Sequence, residues 1–306
     1  MEIIGHQKTW QFLKKSAENQ TLPHALLFSG EDSLGKKTLA LEFVKFINCQ
    51  KRKSGEEACQ ECFSCKSLQR KWHPDLILID NKEGSLIQIS QIREIQNFLN
   101  KTPFFSSFKS VIIDHADKMT KDAGSCLLKT LEEPKGKTLF ILITSFPNLI
   151  AKTIVSRCQK ICFSSVPSQI LADFLKDKKL SAEEKQKLVL ISRGRPGKLI
   201  DFFSNPEKLE RENQILNKIL ELSKKDLKSR FSYIKSLKKE NIATEEIIKI
   251  LMEYFRHSLL LQKKDSLNYS SSKLKEILEF LNKIYFLTSF TNTNKLLALE
   301  LLMLKL

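Results

Sequence analysis

The stretch that decides the fold is ALLFSGEDSLGKK, residues 25–37, in which an apolar run leads into a loop containing two glycines. The loop fits the pattern G-x-x-x-x-G-K, and a helical pattern follows it to about residue 49. Between a strand and a helix, such a loop lets backbone N–H groups close around phosphates while the lysine reaches the β and γ oxygens. We therefore predict a nucleotide-binding loop with Gly30, Gly35 and Lys36 as contact residues; the alternative is a glycine turn that only caps the helix.

Three further apolar runs, residues 76–79, 110–113 and 139–143, alternate with helical patterns. Fully apolar strands that alternate with helices are typical of a parallel sheet covered on both faces. We therefore predict an α/β fold around a parallel sheet.

The chain changes character along its length, because short helices replace the strands after residue 166 and only helical periodicity remains from about residue 207. We predict three domains. These are an α/β domain (1–166), a small helical domain (167–206) and an all-helical domain (207–306).

The charge balance is strongly basic, since 51 Lys and Arg against 35 Asp and Glu give a net charge of +16. This excess favours a polyanionic partner such as nucleic acid, because bound phosphates release counterions. The alternative is a lysine-rich surface that is only solvated.

No apolar run approaches the roughly 20 residues of a membrane span, and the first residues lack the apolar core of a secretory signal. We expect a cytoplasmic protein with reduced cysteines and no membrane partner.

The predicted nucleotide site departs from a hydrolysing site at two positions. In hydrolysing sites the residue after the loop lysine is normally Ser or Thr, whose hydroxyl coordinates Mg²⁺, but here it is Lys37. The hydroxyl of Thr38 could take that role only if the helix began one residue out of register. Asp114 ends an apolar strand, as a carboxylate supporting Mg²⁺ does, although a plain helix N-cap explains it equally well. His115 stands where a water-positioning glutamate is usual. We predict a degenerate site without hydrolysis, and ATP binding stays open.

Four of the seven cysteines, Cys49, Cys59, Cys62 and Cys65, are spaced C-x9-C-x2-C-x2-C. Each x2 spacing lets two thiolates meet one ion, and four sulfur ligands in a reducing compartment favour tetrahedral Zn²⁺. We predict a structural zinc module at 49–65, inserted between a helix and the second strand. An iron–sulfur cluster and free thiols are the alternatives.

Together with further motifs, these residues resemble the delta-prime family of clamp-loader subunits of bacterial DNA polymerase III, within the AAA+ superfamily. The run LLKTLEEP followed by SRC is the most specific part, and the motifs cover nearly the whole chain. Besides the loop and the cysteines they are HPD (73–75), DHADKM (114–119), LLKTLEEP (127–134), SRC (156–158), GRPG (194–197) and NKLLALE (294–300).

The resemblance implies a AAA+ domain with a zinc insert, a helical lid and a helical collar that mediates oligomerisation. It implies that Arg157 projects into the nucleotide site of a neighbouring subunit and stabilises charge on the γ-phosphate. It also implies partners: other clamp-loader subunits in a hetero-oligomeric ring, the sliding clamp and primed DNA. Where hydrolysing subunits carry a nucleotide-sensing arginine this chain has Gly197, with Arg195 two positions away.

The expected function is therefore that of a clamp-loader subunit of the DNA polymerase holoenzyme that has no ATPase of its own and donates Arg157 in trans. The first alternative is an ATP-hydrolysing motor subunit of the same machine, which Lys37, His115 and Gly197 count against. The second is a small-molecule kinase, which the cysteine module and the long helical region disfavour.

Overall fold

The computed structural model describes residues 3–53, 55–70, 72–80, 85–105, 108–239, 242–261, 269–290 and 293–306. The chain divides into two compact units, residues 1–203 and 204–306. The finer division into three domains stays a prediction.

The first unit contains one parallel sheet with helices before, between and after its strands. The strands are β1 (Ala25–Ser29), β2 (Leu76–Ile79), β3 (Lys109–Ile113), β4 (Thr138–Thr144) and β5 (Gln159–Cys162). The helices are α1 (Gln7–Glu18), α2 (Lys36–Ile47), α3 (Phe63–Gln69), α4 (Ile89–Leu99), α5 (Lys121–Glu132), α6 (Lys152–Val155), α7 (Ser168–Leu175), α8 (Ala182–Ser192) and α9 (Pro196–Ser204). Short 3₁₀ helices span Ala116–Lys118 and Pro147–Leu149.

The strand order, β2-β3-β4-β1-β5, decides which loops meet. All neighbouring strands are parallel, and the last residue of β1, Ser29, lies opposite Thr144 at the end of β4. The loops after β1, β2, β3 and β4 therefore emerge at one edge of the sheet, where open α/β sheets bind their ligands. The four predicted strands are confirmed, and β5 is an addition.

Alternate residues of the strands enter two hydrophobic cores, one on each face of the sheet. Leu26 and Phe28 pack with side chains of α1 and α2, while Leu27 and Phe140 pack with side chains of α4 and α5. The parallel sheet covered on both faces is thus confirmed. Phe140 is fully buried, so its truncation to alanine costs about 3–5 kcal/mol of folding free energy.

The second unit is helical throughout the residues that the structure describes there. Its helices are α10 (Pro206–Leu222), α11 (Leu227–Lys239), α12 (Thr244–Leu261), α13 (Ser271–Phe290) and α14 (Lys295–Lys305). Buried Leu and Ile side chains such as Leu251, Ile277 and Leu302 form its core. Within the described ranges, none of the helices combines the length and the apolar character that crossing a membrane requires.

Candidate functional site

The loop between β1 and α2 has the backbone geometry that its glycines allow. Gly30 has φ 152° and Gly35 has φ 88°, both in the region that favours glycine. A Cβ at Gly30 would lie 2.5 Å from the carbonyl oxygen of Phe163, so a side chain there would displace the backbone directly after β5. Helix α2 begins at Lys36 with Gly35 as its N-cap. The start of the helix is therefore not shifted in register, so Lys37 directly follows the loop lysine and Thr38 lies one position further along the helix.

The Lys36 side chain is held by its own loop. It is buried, and its Nζ donates hydrogen bonds to the carbonyl oxygens of Gly30 and Glu31, the latter at 2.6 Å, and to Ser145 Oγ at 3.2 Å. Burial lowers the pKa of Lys36, against the attraction of Asp32 and other nearby carboxylates. The ammonium that would reach a phosphate is thus already hydrogen-bonded within the protein.

Two other carbonyl groups of the loop are also bonded to the protein. The backbone N–H of Gly197, in α9, donates to Ser33 O at 2.8 Å, and His6 Nε2 donates to Leu34 O at 3.0 Å. A Cβ at position 197 would lie 2.9 Å from Ser33 O. Glycine at this position therefore lets α9 approach the loop closely, and a side chain there would force the two apart.

The Lys37 side chain lies between two acidic residues at this edge of the sheet. Its Nζ lies 2.6 Å from Asp80 Oδ1 and 3.3 Å from Asp114 Oδ2. Asp80 follows β2 and Asp114 follows β3, so both carboxylates emerge at the edge of the sheet next to the loop. The other oxygen of Asp114 accepts the backbone N–H of His115 at 3.0 Å. One ammonium therefore bridges the two carboxylates.

Three residues at this edge were missed by the sequence analysis: Asp32, Asp80 and Ser145. Ser145 directly follows β4, donates a hydrogen bond to Asp32 and accepts one from Lys36. The available signal for Asp80 and Ser145 was a polar residue directly after an apolar strand. This signal locates a site only when the order of the strands in the sheet is known. Thr144, the last residue of β4, donates a hydrogen bond to the buried Asp117. Burial raises the pKa of the Asp117 carboxyl group.

Arg157 lies away from this site, near the amino-terminal edge of the sheet. It precedes β5, whose first residue, Gln159, pairs with Leu26 near the start of β1. Its Nη2 lies 2.6 Å from Glu132 Oε1, and its Nη1 donates to Thr153 O at 3.0 Å. The five residues of β1 separate the two edges by about 16 Å. The guanidinium is therefore remote from the chain's own nucleotide loop.

The four predicted cysteine ligands come together. The sulfur atoms of Cys49, Cys59, Cys62 and Cys65 all lie within 4.8 Å of one another. The Cys59 and Cys65 sulfurs are 3.9 Å apart, close to the roughly 3.8 Å that tetrahedral Zn–S bonds of about 2.3 Å require. Cys62 caps α3 and Cys65 lies in its first turn. The cluster can hold a metal ion.

Backbone N–H groups donate hydrogen bonds to sulfur atoms of the cluster. The backbone N–H of Cys59 donates to Cys49 Sγ at 3.3 Å, and that of Cys62 donates to Cys59 Sγ at 3.3 Å. The N–H groups of Cys62 and Glu61 lower the pKa of the Cys59 thiol to about 6, whereas burial raises the pKa of Cys65. All seven cysteines are free thiols. Four sulfur atoms this close together are a donor set that a soft cation such as Zn²⁺ takes.

The cysteine module is attached to the α/β core by polar contacts. Glu57 accepts hydrogen bonds from Lys14 at 2.7 Å and from the Trp10 indole at 3.3 Å. Arg52 pairs with Glu18 at 3.2 Å, so both contacts reach α1. These contacts are partly exposed and individually weak.

The strand order and the glycine–lysine loop after β1 define an AAA+-like fold. A crystal structure of a DNA polymerase III gamma subunit-related protein from Thermotoga maritima shares this fold, with a TM-score of 0.56 and 20% identity, covering 96% of this chain and 97% of that chain. The chain belongs to the family described as DNA polymerase III, delta subunit, whose model matches residues 5–167. The family resemblance carried by the motifs is thereby confirmed.

Curated relatives agree with this assignment. The chain is 37% identical over 174 residues to DNA polymerase III subunit delta' of Bacillus subtilis, covering 57% of this chain and 52% of that protein. It is 33% identical over 195 residues to subunit delta' of Pseudomonas aeruginosa, covering 62% of this chain and 58% of that protein. The chain therefore matches little more than half the length of these relatives.

Proposed function

We propose that the chain is a clamp-loader subunit that does not hydrolyse ATP itself and that supplies Arg157 to the nucleotide site of a neighbouring subunit. The observation that carries the first part is the position of Lys37 between Asp80 and Asp114. Its ammonium contributes one positive charge where a hydrolysing site has a divalent cation.

The contacts of Lys37 disfavour metal binding in two ways. Mg²⁺ needs oxygen ligands at about 2.0–2.1 Å in an octahedral shell, and Lys37 offers neither a lone pair nor room beside the two carboxylates. An ammonium next to the ion would also repel it. Without Mg²⁺ the charge that develops on the transferred phosphoryl group is not neutralised, so turnover is not expected. His115 adds to this, since an imidazole lacks the negative charge of the usual glutamate.

The position of Arg157 supports a role in trans. It is an exposed residue, about 16 Å by strand length from the edge of the sheet that carries the chain's own loop. A guanidinium there is available to a second subunit, and its planar fork suits phosphate oxygens. The partners in this proposal are the other clamp-loader subunits in a hetero-oligomeric ring, which acts on the sliding clamp and primed DNA.

In the same proposal Cys49, Cys59, Cys62 and Cys65 hold Zn²⁺ as a structural ion. Four sulfur ligands leave no open coordination position, so the ion would order residues 49–65 and take no part in a reaction. Binding of Zn²⁺ to thiolate modules contributes about 10–16 kcal/mol, which is enough to fold an otherwise polar insert.

ATP turnover by the purified full-length chain, measured with Mg²⁺ and with and without primed DNA, tests the absence of hydrolysis. The expected rate is the background rate, and Lys36→Ala should leave it unchanged. Turnover that is abolished by Lys36→Ala would show that the chain is a motor subunit.

A further inference from the structure

Aromatic side chains that the nucleotide site does not use are exposed beside the cysteine module. Phe104 is 72% exposed and Phe105 is 47% exposed, and Phe63, at the start of α3, is exposed as well. The rings touch in a row, with centroids 4.8 Å apart for Phe63 and Phe105 and 4.6 Å apart for Phe104 and Phe105. We call Phe63, Phe104 and Phe105 the aromatic face.

Buried polar groups fix the aromatic face in place. The Asp75 carboxylate, which is itself buried, accepts the backbone N–H of Phe104 at 2.7 Å and that of Phe105 at 2.9 Å. The buried His73 accepts the N–H of Asp75 at 3.0 Å and is hydrogen-bonded to Ser64 in α3. The loop with the two phenylalanines is therefore tied to the same helix that carries Phe63.

Cationic side chains accompany the rings. Lys66 follows Phe63 at i+3 on the exposed side of α3, and Arg70 is the exposed residue that caps the end of this helix, while Cys65 and Leu68 are buried on the other side. Lys101 is exposed four residues before Phe105. Between residues 61 and 70 the exposed charged side chains are Glu61, Lys66 and Arg70, so this segment carries one more positive than negative charge.

We propose that the aromatic face, with Lys66, Arg70 and Lys101, binds single-stranded nucleic acid. Rings that offer stacking surfaces next to cations are the combination with which proteins hold single strands without reading sequence. An apolar pocket on a partner protein would use the rings but would gain little from the cations, whereas a phosphate backbone uses both, in keeping with the net charge of +16. This inference is independent of the role of Arg157.

The two tryptophans provide a direct readout. Trp72 is 71% exposed just beyond α3, whereas Trp10 is 8% exposed in the core. Titrating the full-length chain with a single-stranded oligo(dT) of about 20 nucleotides should quench the exposed tryptophan, and anisotropy of a labelled oligo(dT) gives the affinity. Affinity should fall steeply with salt, as it does when cations neutralise phosphates.

Matched variants decide the outcome. Phe105→Ala should weaken oligo(dT) binding about 10-fold, which corresponds to the loss of one stacked base. Phe12→Ala, which removes an equally exposed ring (47%) from α1, should have no effect. The double variant Lys66→Glu/Arg70→Glu should abolish binding, whereas Lys187→Glu/Lys228→Glu, an equal change of charge at exposed sites elsewhere, should reduce it less than threefold.

Three results would overturn the proposal. The first is no binding of oligo(dT), and the second is binding that Phe105→Ala leaves unchanged. The third is loss of binding to a partner protein in Phe105→Ala with oligo(dT) binding intact, which would assign the face to a protein. Because Phe105 is about half exposed and its ring packs on those of Phe63 and Phe104, its truncation should lower the thermal unfolding midpoint by no more than a few degrees, and the midpoint is checked for every variant.

Discussion

Arg157 Nη2 lies 2.6 Å from Glu132 Oε1, an ion pair between the SRC motif and the LLKTLEEP motif. The Arg157 side chain is 37% exposed, and pairs this exposed contribute about 0.2–1 kcal/mol in measured cases. Arginine fingers accelerate phosphoryl transfer by about 10³–10⁵-fold, which is about 4–7 kcal/mol of activation free energy and much larger than the free energy of the ion pair. In the proposed function, the guanidinium can therefore leave Glu132 for a neighbour's γ-phosphate at little cost.

Glu132→Gln tests this relationship. The ion pair is lost while an amide oxygen still accepts a hydrogen bond, so the free energy of unfolding should fall by no more than about 1 kcal/mol. Clamp loading by a reconstituted loader should be kept, since Arg157 is still present. Thermal unfolding and loading rate are the measurements. A loader that fails with Glu132→Gln would show that the pair itself is needed.

Lys37→Thr should create a metal site. The change removes the ammonium, leaves Asp80 and Asp114 facing each other and adds the hydroxyl that Mg²⁺ sites use. Isothermal titration should detect Mg²⁺ binding to the variant and none to the unmodified chain. Lys37→Met is the control, because it removes the charge without adding an oxygen ligand, and it should bind Mg²⁺ more weakly. Equal binding by the unmodified chain would refute the role given to Lys37.

Elemental analysis of protein made without added metal should find about one Zn²⁺ per molecule, because the four cysteines complete a tetrahedral shell. Cys62→Ser should remove the ion and increase proteolysis within residues 49–65 more than within the α/β core. Cys126→Ser, outside the cluster, should keep the metal. Iron in place of zinc, or a metal-free protein, would contradict the zinc proposal.

His6 predicts a pH dependence of stability. Burial against the loop lowers its pKa below the usual 6.5, so the unfolded chain binds the proton more readily than the folded one. Stability should therefore decrease as the pH falls through about 6.5 toward the lower folded pKa, with a slope of at most about 1.4 kcal/mol per pH unit. Unfolding of the chain and of His6→Gln between pH 7.5 and 5.5 measures this. The chain should lose more stability than the variant, and equal losses would exclude His6 as the cause.

Much of the candidate nucleotide site could be read from local sequence, and nucleotide binding at it stays a prediction. The loop glycines, Lys36 and Asp114 belong to patterns that lie within one strand and its following loop, and local backbone geometry determines them. Asp80 and Ser145 could not be found in this way, because they join the site only through the order of the strands. Strand order depends on long-range packing, which a single sequence does not reveal.

The electrostatics of Lys37 show the same limit. Its charge predicts repulsion of Mg²⁺, but its two carboxylate partners lie 43 and 77 residues away in the sequence. Strand β5 was missed for a different reason, since only Ile161 of its four residues is buried and the apolar pattern of a central strand is absent. The cysteine cluster was predicted in full because its ligands are close together in the chain.

The central claim is that Arg157 works in a neighbour's site while the chain's own site is idle, and one comparison tests it most directly. Loaders are reconstituted with Arg157→Ala, with Lys36→Ala or with Lys152→Ala as an exposed control on α6, and assembly is checked before clamp loading and DNA-stimulated ATPase are measured. Arg157→Ala should assemble and lose most of the loading rate and part of the ATPase, and Arg157→Lys should restore only a fraction because an ammonium lacks the planar fork. Lys36→Ala and Lys152→Ala should load at nearly the normal rate. Loading that fails with Lys36→Ala and is normal with Arg157→Ala would contradict the account and identify the chain as a motor subunit.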